Sequence, residues 1–232
     1  ILELPDTYVG STETHEETRW VYDTSSSKMA HRKVAFNPGF YKIFDEIVVN
    51  AADNKQRDPG MNKLDVTIDP AANSIRVWNN GAGIPVVIHQ EHQIYVPELI
   101  FGHLLTGSNF DDDEQKTTGG RNGYGAKLAN IFSTSFTVET VDSDRGLKFK
   151  QSYTNNMSNR SAPEITKCSG SDYTCITFQP DLARFKMDSM DDDIVSLLSK
   201  RVHDIAGTNT AQGARLNVFL NGSKIDIRNF EQ

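Results

Sequence analysis

Apolar residues at Phe40, Ile43, Phe44, Ile47, Val48 and Ala51 recur at the spacing of one helix face, which predicts a helix opening at Pro38. Asn37 and Pro38 supply its cap and first-turn proline. The alternating runs LDVTID and SIRVWN flank the turn-forming PAAN and predict a β-hairpin. VPELIFGHLL and AKLANIFS read as helices, and SFTVETV, LKFKQSY and YTCITFQP as strands. MDDDIVSLLSKRVHDIAG reads as a helix before a last hairpin, RLNVFLNGSKIDI, turning at Asn221 and Gly222. Residues 11–35 are polar and read as an irregular or weakly stranded arm. Helices and strands mix without strict βαβ alternation. The expected class is therefore α+β, one domain over residues 1–232: a two-layer sandwich whose mixed, mainly antiparallel sheet carries helices on one face.

Charge narrows the function. With 24 Lys+Arg against 31 Asp+Glu the net charge is -7, which argues against a broad footprint for a nucleic-acid backbone. No stretch approaches the roughly 18 apolar residues of a membrane span, and the opening ILELPDTYVG lacks the regions of a signal peptide, so a soluble intracellular protein is expected. The chain starts and stops abruptly, which suggests a fragment. Cys168 and Cys175 flank the turn-like SGSDY, either facing each other across a hairpin or standing as two reduced thiols. The histidines, including His89, His92 and His103, show no zinc spacing. The run Asp111 to Asp113 reads as a charged loop tip.

Three constellations carry chemistry. On the helix from Pro38, Glu46, Asn50, Asp53 and Arg57 stack along one stripe. A carboxylate one turn before an amide suits activation of a water beside a cation-bound phosphate, although such a stripe is also the ordinary pattern of a solvated face. NNGAGIP follows a strand, and Gly81 and Gly83 permit turn conformations and let a flat ring approach the backbone; a plain glycine turn is the alternative. The stretch TGSNFDDDEQKTTGGRNGYG reads as a long functional loop. It ends in GGRNGYGAK, whose glycines expose backbone N–H groups to phosphate before a helix, unless it is only a linker. It is not a Walker A loop, because Ala126 separates Gly125 from Lys127 and Leu128 follows.

In this order, EIVVNAADN, NNGAGIP and GGRNGYGAK resemble the N-box, first glycine box and lid box of the ATPases that include gyrase, Hsp90 chaperones, histidine kinases and MutL proteins. More narrowly, EIVVNAADNKQRDP, YVPELIFGHLLTGSNFDDDE, TTGGRNGYGAKLANIFST and FTVET resemble eukaryotic DNA topoisomerase II, and PDTYVGS and VFLNG extend the likeness nearly end to end.

The resemblance implies a GHKL, or Bergerat, ATPase fold that binds ATP and Mg2+. It assigns Glu46 as general base and Asn50 as the magnesium ligand that also contacts phosphate. Asp53, Gly83 and Ile84 fall in its nucleotide boxes, Asn79 takes the adenine-reading position and Arg57 lies near the nucleotide. Gly107, Ser108 and Asn109 match the segment touching ribose and phosphate; Gly107 is commonly Ser in the family, which removes one hydroxyl. Gly120, Arg121, Asn122, Gly123, Tyr124, Gly125, Ala126 and Lys127 match the lid around the triphosphate. Ala82 stands where relatives carry Lys or Arg. The implied function is an ATP-operated dimerisation gate of a nuclear or organellar enzyme: a homodimer forms through this domain, other domains grip double-stranded DNA, and no membrane is involved. A lysine from a following transducer domain completes the family's site, so poor hydrolysis is expected of a chain ending at Gln232. An Hsp90-like or MutL-like clamp on protein or mismatch partners is the rival reading, and DNA-stimulated ATPase activity separates the two.

Overall fold

The computed structural model describes residues 1–104, 124–208 and 215–227, in which a one-turn helix α1 (Pro5–Tyr8) precedes a hairpin of β1 (His15–Asp23) and β2 (Lys28–Phe36). This corrects the expectation of an irregular arm, since the two strands pair without a break from His15↔Phe36 to Asp23↔Lys28. The hairpin's polarity has a physical cause: Val21, Val34 and Phe36 are its only buried side chains, so no apolar alternation marks it.

Helix α2 (Pro38–Arg57) begins where expected, with Asn37 Oδ1 accepting from the Phe40 amide at 3.0 Å. Asn37 Nδ2 also donates to the carbonyls of Thr12 (2.6 Å) and Phe185 (2.9 Å), so the cap ties three segments together. All six residues of the expected apolar face are buried.

Next come β3 (Lys63–Asp69), β4 (Ser74–Asn79), α3 (Val96–Gly102), α4 (Gly125–Ile131), β5 (Ser133–Asp142), β6 (Leu147–Thr154) and the short β7 (Asn159–Arg160) and β8 (Glu164–Lys167). The described residues finish with β9 (Tyr173–Pro180), α5 (Asp192–Thr208), β10 (Asn217–Leu220) and β11 (Ser223–Lys224). The main sheet runs β11-β10-β3-β4-β9-β5-β6-β7, with β8 also on β6. Every pairing is antiparallel except β10 on β3, giving the mixed, mainly antiparallel sheet expected.

Alternation decides which face the helices cover. Leu64, Val66 and Ile68 on β3 and Ile75, Val77 and Asn79 on β4 are buried in a period of two. Helix α2 packs on β3, β4 and β9, α4 on β5 and β9, and α3 on β5 and β6, forming the second layer. The first hairpin rests on α5, where Asp193 accepts from the Ala35 amide at 2.8 Å and pairs with Arg32.

One further expectation changes and, of the two readings of the cysteines, the reduced thiols stand. Helix α3 stops at Gly102, and a side chain there would strike the Tyr153 ring. The cysteines do not face each other across a hairpin, because β8 pairs with β6 rather than β9; both thiols are free, and Cys175 is buried.

Candidate active site

The main stripe of α2 opens onto a cavity of about 610 Å³ between that helix, the end of β4, α3 and the start of α4. Glu46, Asn50, Asp53 and Arg57 line it from α2. Asn79, Gly83 and Ile84 line it from β4 and the bend that follows, and Gly125 and Ala126 close it from α4. Ile47, Val77, Ile100 and Ile176 give it apolar walls, the combination of apolar surface and few polar groups that suits a flat base. A larger cavity of about 1010 Å³ between the first hairpin, α5 and β10–β11 carries none of the sequence-predicted residues.

Asn79 lies almost fully buried at the end of β4, on the face turned to α2. Its Oδ1 accepts from Asn54 Nδ2 at 2.9 Å and from the Gly81 amide at 3.1 Å. Asn54 Nδ2 reaches the Ala82 carbonyl too, at 3.1 Å, so one buried amide fixes both the strand end and the bend. Sequence reading missed Asn54, although it directly follows Asp53 in the motif.

The bend is pinned from two sides. Asp58, the C-cap of α2, accepts from the Ala82 amide at 2.9 Å. From β5, Thr140 Oγ1 accepts from the Ile84 amide at 3.0 Å and Asp142 Oδ2 from the Val86 amide at 2.9 Å. The glycines serve this packing rather than an unusual turn, which corrects the sequence reading: neither Gly81 nor Gly83 has a positive φ. A Cβ on Gly83 would overlap the Val141 carbonyl, and one on Gly81 would overlap the Asn54 side chain.

At the opposite wall, Gly125 lies so close to Glu46 that a Cβ there would overlap Oε2. Glu46 Oε1 pairs with Lys42, one turn earlier. Burial raises the Asp53 carboxyl above its ordinary range, with the Arg57 charge opposing it. Lys127 is buried on α4, and burial pushes its ammonium down. Neither Lys127 nor Tyr124 lines the cavity; Tyr124 packs against the core. The other expected contacts, Gly107, Ser108, Asn109, Gly120, Arg121, Asn122 and Gly123, lie outside the described residues.

Comparison with known proteins agrees with this geometry. The family model described as histidine kinase-, DNA gyrase B-, and HSP90-like ATPase matches residues 37–183. The chain is 57% identical over 231 residues to DNA topoisomerase 2 of Drosophila melanogaster, covering 100% of this chain and 16% of the relative. Against DNA topoisomerase 2-alpha of Homo sapiens it is 57% identical over 230 residues, 99% of this chain and 15% of the relative. It thus spans about a sixth of the length of these relatives. The crystal structure of the ATPase region of Saccharomyces cerevisiae topoisomerase II superposes with a TM-score of 0.91 at 53% identity, over all of this chain and 60% of that one. The ATPase and transducer domains of DNA topoisomerase II from Balamuthia mandrillaris give 0.90 at 52%, over 99% of this chain and 59% of that one. From the family match over residues 37–183 and the shared fold, the chain belongs to the histidine kinase-, DNA gyrase B- and HSP90-like ATPase family.

Proposed function

We propose that this chain is the ATP-operated gate of a type II DNA topoisomerase, acting in the nucleus as a homodimer whose other domains hold double-stranded DNA. The reading is supported by likeness, over the whole of this chain, to part of the ATPase region of such an enzyme and by an acidic chain ill suited to gripping a duplex itself. Among the described residues no helix is long and apolar enough to cross a membrane.

One observation carries the chemical part: Glu46, Asn50 and Asn79 open on a single cavity with apolar walls. In this reading Asn79, held by Asn54, reads the edge of adenine. Gly83 and Ile84 bound the base, and Asp53 and Arg57 flank the nucleotide. Glu46 takes a proton from the attacking water as its oxygen bonds to the terminal phosphorus and the bond to the bridging oxygen breaks, releasing ADP. Gly125 and Ala126 border the triphosphate, and Gly107, Ser108, Asn109 and residues 120–123 are proposed as further contacts with ribose and phosphate.

The donor set fits magnesium. Asn50 lines the cavity one turn from Glu46 and offers an amide oxygen, the hard donor that magnesium takes alongside substrate phosphates. Asn50 is the residue that would hold it, and the ion would neutralise charge on the phosphates.

The test is ATP turnover by the full-length protein with and without duplex DNA. Stimulation by DNA, and loss of turnover with retained nucleotide binding in Glu46→Gln, are the expected results. Undiminished turnover in that variant, or indifference to DNA, overturns the reading.

A further inference from the structure

We infer that Lys42 is a positioning residue for the hydrolytic step, holding the Glu46 carboxylate so that a single oxygen faces the reacting water. The inference rests on the assignment of Glu46 as general base.

Three observations carry it. Lys42 pairs with Oε1 of Glu46, while Oε2 lies against Gly125, so the carboxylate is bounded on both sides. Glu46 and Gly125 both line the nucleotide cavity. In this proposal the oxygen beside Gly125 is the one offered to the water that attacks a terminal phosphate, and rotation about the last side-chain bond is restrained by the ammonium on the other.

Helix stability gives Lys42 only a modest role. In an i, i+4 pair the favourable order places the acid before the base, and here the lysine comes first. Lys42 is about half exposed and Glu46 more sheltered, so the pair contributes little as a surface bridge. What it supplies is orientation of a base whose reach falls off steeply with misplacement.

The step itself balances without Lys42 changing state. A water proton passes to Glu46 Oε2, the water oxygen bonds to phosphorus and ADP departs with the electrons of the broken bond. The lysine keeps its proton throughout.

The experiment compares Lys42→Met, Lys42→Gln and Lys42→Arg in the full-length protein, with Glu46→Gln as reference. Loss of orientation predicts that the Met and Gln variants lose about fivefold to tenfold in kcat at an unchanged KM for ATP, and that Arg restores kcat to within about twofold. Nucleotide binding and melting temperature, measured alongside, should match the parent. Parental kcat in both uncharged variants, or a loss confined to KM, overturns the inference. Parental turnover in Glu46→Gln instead overturns the general-base assignment beneath it, so the two failures are told apart.

Discussion

Asn54 Nδ2 lies 2.9 Å from Asn79 Oδ1, so an amide on α2 sets the orientation of the amide at the end of β4. Replacing Asn54 with Ala leaves the Asn79 oxygen with the Gly81 amide as its one remaining protein donor and frees the Ala82 carbonyl. A buried polar group deprived of its partner costs about 1–3 kcal/mol. The expected result is a rise of about tenfold in the Kd for a non-hydrolysable ATP analogue, read by calorimetry, with the fold intact by circular dichroism.

Gly125→Ala introduces a methyl group into the space of Glu46 Oε2. The carboxylate must swing away, whereas the nucleotide's apolar walls are untouched. Single-turnover hydrolysis is expected to fall by about a hundredfold while analogue binding changes less than about threefold. Equal losses in both measurements would show that the methyl group disturbs the whole pocket rather than the base.

Gly83→Ala addresses stability instead. Its Cβ would overlap the Val141 carbonyl, a backbone atom with no room to yield. The bend must lift from β5, giving up the hydrogen bonds of Ile84 and Val86 to Thr140 and Asp142. Urea unfolding should show a loss of about 2–4 kcal/mol, and an unchanged midpoint would contradict the packing described.

Acidification tests two histidines, His203, which is buried, and His103, which is partly so. Burial lowers His203, which stacks on Tyr22 at 3.8 Å with Nδ1 2.8 Å from the Ser199 carbonyl. Burial first, and then the charges of His92, Arg160 and Lys127, lower His103. Both imidazoles thus take up protons more readily in the unfolded chain. Stability should be complete above the ordinary imidazole value near 6.5 and fall as pH drops below it toward the folded values. Urea titrations between about pH 8 and 5.5 should show this slope, and His203→Phe should flatten it.

Much of the site was legible before the fold, because its residues sit on continuous motifs and helical spacing alone aligns Glu46, Asn50, Asp53 and Arg57. Asn54 was not, since its partner Asn79 lies on another element and only the sheet brings them together. The first hairpin was hidden for a different reason: three buried residues among eighteen leave no visible period. The glycine bend was found in the right place with the wrong cause. Sequence shows that glycine is present but not whether conformation or a neighbouring backbone demands it, and here Val141 does.

The parallel pairing of β10 with β3 joins strands roughly 150 residues apart. Such a contact bears a large entropic cost before it yields any stabilisation, so closure of this border belongs late in folding. Until Asn217–Leu220 arrives, β3 offers unsatisfied backbone groups to any passing strand. The growing chain is therefore exposed to aggregation until Asn217–Leu220 is in hand, and truncation upstream of Asn217 should yield insoluble protein rather than a smaller domain.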